Sequence, residues 1–185
     1  LFWSGTFWPR IGGVEVLAAR LLPELQERGY RFTVITPQSS LDHPREDRYK
    51  GIPVHRVPFG ADHGNIERLL EMQNQVRNLR RDLAPDLVHA NTVGAIDYVL
   101  LTSGSVHPAP LLVTLHGEGL GREESIVRQT LAAADWVVGC SEAILKKGRR
   151  LVPEIISRSS VLYNGLAPPH IPAVPLPTEA APVLC

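Results

Sequence analysis

The sequence predicts a doubly wound, Rossmann-like α/β domain: a parallel sheet of about seven strands with helices on both faces. Three observations carry this expectation. Short apolar runs alternate with longer amphipathic stretches, the pattern of repeated strand-helix-strand units. The runs at residues 86–90, 110–115 and 135–139 are largely apolar, as strands covered on both faces by helices are. Gly, Pro, Asn or Ser follows most of these runs, which places turns at their carboxyl ends. At 185 residues the chain is about the size of one domain and long enough to bury a substantial core.

The elements follow in order. Leu1, Phe2 and Trp3 form the first strand, and the loop after it ends in Pro9-Arg10-Ile11-Gly12-Gly13-Val14-Glu15. Val14, Leu17, Ala18, Leu21, Leu22 and Leu25 recur at helical spacing, with Glu15, Arg20, Glu24, Glu27 and Arg28 between them. That pattern predicts an amphipathic helix over 14–28, stopped by Gly29 and kinked or broken at Pro23. Residues 31–36 predict a strand ended by Pro37, and the charged stretch 39–51 a solvated loop. The strand at 52–58 has prolines near both ends and is expected close to a sheet edge. A helix over 65–83 is expected to bury Ile66, Leu69, Leu70, Val76, Leu79 and Leu83. Near its end Arg77, Arg80 and Arg81 complement the helix dipole, with peripheral contact to a membrane surface as the lesser alternative.

From residue 85 onward the alternation is regular. A strand at 86–90 leads to an apolar, buried helix over 92–102, a strand at 110–115 and a glycine-punctuated turn at 116–121. A helix over 122–134, a strand at 135–139, a helix over 142–150 capped by Ser141 and a strand at 159–163 complete the set, closed by Asn164-Gly165. Between 168 and 182 there are six prolines in fifteen residues, which favours an extended, semi-rigid backbone. The expected division is a domain over 1–166 and a Pro-rich linker over 167–185. The apolar opening without Met and the strand-like end at 181–185 point to a piece of a longer protein.

Composition narrows the function classes. Lys plus Arg and Asp plus Glu number 19 each, so no global field favours nucleic acid, which is not an expected partner. Cys140 and Cys185 make no disulfide framework and fit a reducing compartment. No apolar run reaches the roughly 20 residues of a membrane-spanning helix. The expected location is cytoplasmic, with the inner face of a membrane as an alternative station.

In a doubly wound sheet, ligands bind outside the carboxyl ends of the strands. That rule puts the Gly12-Gly13 turn, Asn91, His116 with Glu118, Ser141 and Asn164 along one rim. A glycine turn at a helix N-terminus exposes backbone N–H groups at the positive end of the dipole, where phosphate binds. The rim lacks a dinucleotide fingerprint: Gly12-Gly13 follows a long loop without G-x-G-x-x-G, and the second strand ends in Thr36-Pro37 without an acidic residue. No G-K-S or G-K-T phosphate loop and no G-x-S-x-G nucleophile elbow occurs. His89, His116 and Cys140 lie at or near strand ends without metal-ligand spacing, and no metal site is expected.

Six segments in order, P-R-I-G-G-V-E, E-R-G-Y-R-F-T-V-I-T-P, P-D-L-V-H-A-N, T-L-H-G, A-D-W-V-V-G-C-S-E-A and V-L-Y-N-G-L, resemble the N-terminal half of the retaining, GT-B-fold glycosyltransferases of the large group-one family, family four. The resemblance covers residues 1–166. It implies one half of a two-domain transferase that moves a sugar from a nucleoside diphosphate donor to a hydroxyl acceptor (a glycan, polysaccharide or glycolipid) with retained configuration. This half would hold the acceptor, and a C-terminal domain most of the sugar nucleotide. Gly12 and Gly13 match the family's glycine loop at the donor diphosphate or an acceptor phosphate, and His116 matches the histidine beside the transferred sugar, the expected catalytic residue. Glu15, Asn91 and Glu118 are acceptor-contact candidates. The resemblance implies no metal and no cofactor beyond the sugar nucleotide as co-substrate. The family's basic residues and spaced glutamates are expected in the other domain, so this chain alone is expected to be inactive. A sugar-nucleotide epimerase of the same architecture and a non-catalytic carbohydrate-binding or regulatory module are the alternatives.

Overall fold

The computed structural model describes residues 1–38, 43–58, 66–117, 120 and 124–165, so Glu118 and the linker over 167–185 lie outside the described residues. Eight strands form one sheet in the order β3-β4-β2-β1-β5-β6-β7-β8. They are β1 (Phe2–Trp3), β2 (Val34–Pro37), β3 (Glu46–Tyr49), β4 (Ile52–Val57), β5 (Val88–Ala90), β6 (Leu111–Leu115), β7 (Trp136–Gly139) and β8 (Ser159–Val161). Every pairing is parallel except that of β3 with β4. The helices are α1 (Gly13–Glu27), α2 (Ile66–Leu83), α3 (Asp97–Thr102), α4 (Glu124–Ala133) and α5 (Glu142–Leu151), with short 3-10 turns at Gly104–Val106 and Pro153–Arg158.

β1 is the axis of the sheet. Phe2 and Ser4 donate to Thr33 and Ile35 on one side, and Leu1 and Trp3 accept from His89 and Asn91 on the other, all within 3.1 Å. Strand order reverses here: β2 and β4 lie to one side, β5 through β8 to the other. Because side chains alternate across a strand, Phe2 and Val34 enter the cluster under α1 with Phe7, Ala18, Leu22, Ile52 and Val54, while Trp3 and Ile35 enter the larger cluster on the other face. Phe2 and Trp3 are fully buried, each contributing about 2–3 kcal/mol of apolar transfer.

The structure corrects several sequence expectations. The charged segment expected as a loop contains β3, joined to β4 by Lys50-Gly51 with positive φ of 48° and 84°. Two consecutive positive φ values are the geometry of a tight hairpin turn, and the charges of Glu46, Asp47 and Arg48 suit an exposed edge strand. β4 therefore lies one strand in from the edge. Arg56, buried in β4, donates to Pro44 O, Asp47 Oδ2 and Trp8 O, tying β3 and the loop after β1 to the sheet.

α1 runs unbroken through Pro23 and buries Glu15, Ala18, Ala19 and Leu22, while Leu21 is exposed. On α2, Ile66, Leu70 and Leu83 are exposed, and the buried line is Met72, Val76 and Arg80, each one turn from the next. Arg80 is not a surface residue at the helix end: its guanidinium donates to His107 O, Leu100 O and Ser103 Oγ. The helix expected over 92–102 begins only at Asp97, because the preceding residues form a turn hydrogen-bonded to the Asp97 carboxylate. Among the described residues, no helix is long and apolar enough to cross a membrane.

α5 crosses the end of β7 at close range. A Cβ on Gly139 would stand 2.7 Å from Leu145 Cβ and 3.0 Å from its backbone N and Cα, whereas a Cβ on Gly148 would meet only the rotatable ends of Leu115 and Ile155. Gly139→Ala should therefore destabilise the fold by about 1–3 kcal/mol through backbone displacement, and Gly148→Ala by less than about 1 kcal/mol. Urea unfolding midpoints of the two variants, with unchanged m-values, check this ordering.

Candidate functional site

The carboxyl ends of β1, β5 and β6 converge where strand order reverses, and the loops leaving them carry most of the candidate residues. The loop after β1 is anchored to the loop after β5 by Gly5 N–H donating to Thr92 Oγ1 at 2.7 Å. Beneath them Trp3 Nε1 donates to Asp97 Oδ1 at 3.0 Å, and Gly94 N–H to Asp97 Oδ2 at 3.0 Å. Trp3 and Asp97 are fully buried, so this pair is part of the frame.

Asn91 and His116, one residue beyond β5 and β6, are brought together. Asn91 is buried, and its Oδ1 lies 3.2 Å from His116 Nε2. An amide oxygen only accepts, so Nε2 carries the hydrogen in this arrangement. Asn91 does not cap α3, whose N-cap is Ile96. Asn91 Nδ2 is buried without a hydrogen-bond partner among the described residues. An unsatisfied buried donor of this kind costs about 1–3 kcal/mol, and a hydroxyl or phosphate oxygen placed against it would recover that cost. Thr36 Oγ1, at the end of β2, is buried and unpartnered in the same way. Thr36 is not among the residues expected at the site from sequence; its position at the carboxyl end of a strand is the signal that marks it.

Gly12 and Gly13 stand at the start of α1, Gly12 as N-cap in extended conformation without a side-chain cap. The two glycines face different surroundings. A Cβ on Gly12 would lie 2.4 Å from Glu15 Oε2, whereas a Cβ on Gly13 would meet nothing within 4 Å. Glu15 is itself buried and pairs with Arg10 Nε at 3.4 Å. The carboxylate thus folds back over the helix N-terminus, where the dipole favours negative charge, and the open approach is on the Gly13 side. Gly12, Gly13 and Glu15 stand at the start of α1 after β1, and Asn91 and His116 at the ends of β5 and β6, so all of them flank the switch in strand order. Ser141 caps α5 by accepting from Ile144 N–H at 3.3 Å, and Gly117, with φ of 101°, turns the chain after His116 against Ile144.

His89 lies in β5 below the rim, its Nε2 2.8 Å from Thr114 Oγ1 and its ring edge-on to Phe2. Burial, reinforced by the neighbouring His116, lowers its pKa to about 4. It is a neutral strut between β5 and β6. Among the described residues no three His, Cys, Asp or Glu side chains are grouped as a metal ion would need.

Comparison with known proteins bears on this geometry. A family model described as Glycosyltransferase Family 4 matches residues 11–168. An uncharacterized glycosyltransferase of Methanocaldococcus jannaschii is 24% identical over 169 residues, 86% of this chain, and the chain spans 45% of that relative's length. Sucrose-phosphate synthase from Thermosynechococcus elongatus superposes with a TM-score of 0.66 at 12% identity, over 88% of this chain and 47% of that one. MurG from Acinetobacter baumannii superposes with a TM-score of 0.61 at 13% identity, over 90% and 46%. At these identities the structural likenesses speak for the fold alone, here half of a GT-B architecture.

The lowered pKa of His89 has a signed consequence. The unfolded chain takes up the proton near the ordinary value of 6.5, the folded chain only near 4, so the stability that His89 contributes is complete above about pH 6.5 and is lost as pH falls towards 4. The loss is about 1.4 kcal/mol per pH unit, roughly 3 kcal/mol in all. Urea midpoints at pH 7 and 4.5 should differ more for the parent chain than for His89→Gln, which cannot protonate.

Proposed function

Since the chain belongs to glycosyltransferase family 4, we propose that it forms the acceptor-side wall of the active-site cleft in a two-domain, retaining transferase. The sugar passes from a nucleoside diphosphate to a hydroxyl of a glycan, polysaccharide or glycolipid. The bond between the anomeric carbon and the diphosphate oxygen breaks, a bond to the acceptor oxygen forms, and the acceptor proton leaves with the departing diphosphate or to solvent. The observation that carries this reading is the Asn91–His116 pair at the switch point, with a buried Asn91 N–H unanswered by the described residues.

The roles follow from that pair and its neighbours. The His116 imidazole hydrogen-bonds a hydroxyl of the transferred sugar, and Asn91 both orients the imidazole and donates to an oxygen of the sugar or acceptor. The α1 N-terminus receives phosphate oxygens on the open side of Gly13, with Glu15 and Arg10 lining the approach. Glu118, outside the described residues, remains an acceptor-contact candidate on its position after β6. The second domain supplies the positive charge against the leaving diphosphate, so this chain by itself has no turnover.

Two variants test the assignment. Gly13→Asp sets a carboxylate in open space at the first helical position, where the dipole tolerates it, so stability should hold. Pyrophosphate binding, followed by amide shifts at Gly13, Val14 and Glu15, should weaken by about 10-fold or more from like-charge repulsion. Unchanged binding would remove the phosphate role. In the full-length protein, His116→Ala should lower turnover by about 100-fold, and full activity would take His116 out of the mechanism.

A further inference from the structure

A groove lies at the opposite end of the sheet from Asn91 and His116. Its volume is about 460 Å³, and it opens where β6 and β7 begin, between α3, the Gly104–Val106 turn and the end of α4. β6 has five residues, so the groove and the His116 rim are roughly 15 Å apart along the strand. Leu100, Pro108, Leu111 and Ala133 make apolar walls, Asp135 stands at the margin, and Arg80 lines the interior.

Arg80 gives this groove its character. The residue is 5% exposed, and the acceptors of its guanidinium, two backbone carbonyls and the Ser103 hydroxyl, are all neutral. Among the described residues it makes no ion pair, and its Nη2 has no hydrogen bond. A buried cation without an anion is costly to maintain. Gly104 keeps the guanidinium edge accessible: a Cβ there would come no closer than 3.9 Å to Nη1 and Nη2, and its absence leaves that space to the groove. Asp135, which lines the same groove, makes no ion pair with Arg80. Its Oδ2 accepts from Leu111 N–H at 2.8 Å, and its negative charge at the margin disfavours ligands with several negative charges.

We propose that this groove is a binding site for a small organic monocarboxylate with an apolar body, the carboxylate engaging the Nη2 edge of Arg80 and the body lying against Leu100, Pro108 and Leu111. A planar carboxylate matches the guanidinium fork, and desolvation by apolar walls strengthens the pair. The site is separate from the glycosyl-transfer cleft and does not depend on its assignment.

Phenylacetate is the probe, titrated into the 185-residue chain and followed by 1H–15N spectra, with phenylacetamide and inorganic phosphate as comparisons. Phenylacetate should give saturating shifts centred on the amides of Leu101, Gly104 and Leu111, with a Kd of about millimolar order for so small a ligand. Phenylacetamide and phosphate should each bind at least about 10-fold more weakly, the first lacking the charge and the second the apolar body. Arg80→Gln removes the cation but also loosens three structural hydrogen bonds, so Gly104→Leu is the companion variant: it fills the groove beside an intact Arg80 and should weaken phenylacetate by about 10-fold or more. Absence of saturating shifts, equal binding of the amide or of phosphate, or undiminished binding by Gly104→Leu would each overturn the proposal.

Discussion

The hydrogen bond from Trp3 to Asp97 is the constraint on which the rest of this architecture hangs. Both residues are fully buried and 94 positions apart in the chain. An indole N–H and a carboxylate cannot be left unsatisfied in an apolar interior, so Trp3 must present its ring edge to the turn after β5, and that turn must supply the acid. The same carboxylate accepts from Gly94, which delays the start of α3 and holds residues 92–96 in a turn. Asn91 and Thr92 are thereby fixed at the carboxyl end of β5, against the loop that leaves β1.

With that frame in place, the chemistry of the rim follows from what is buried there. Asn91 has one amide atom engaged by His116 and the other without a partner among the described residues, and Thr36, on the neighbouring side of the sheet, carries a buried oxygen that has none among them either. Buried polar groups of this kind are uncommon in native interiors, and both lie at the carboxyl ends of strands near the switch point. Glu15 adds a different element: a carboxylate that already occupies the N-terminus of α1 and divides two adjacent glycines into one that is covered and one that is open.

Buried arginines do structural duty on both sides of the sheet. Arg56 joins the β3–β4 hairpin to the loop after β1, and Arg80 clamps the segment between α3 and β6. Among the described residues Arg56 forms an ion pair, with Asp47, and Arg80 forms none. Along the sequence these two residues cannot be told from their exposed neighbours Arg48 and Arg81, since one charged residue among others on a strand or at a helix end reads as solvated. The same ambiguity affected α2, where apolar residues at helical spacing were expected to form one stripe although Ile66 and Leu70 face outward.

The sequence by itself determined the fold class, the approximate place of every parallel strand, the capping of α5 by Ser141 and the presence of Gly12, Gly13, Asn91 and His116 at strand or helix ends. These are properties of local pattern: hydrophobic period, turn residues and their order along the chain. Tertiary structure alone decided which of those residues meet. The pairing of Asn91 with His116 and the neutral acceptors around the buried Arg80 arise between segments far apart in sequence, while the folding of Glu15 over Gly12 and the β3–β4 hairpin join near neighbours whose burial only the assembled sheet decides. Burial and hydrogen-bond satisfaction are properties of the assembled interior, and no window of neighbouring residues contains them.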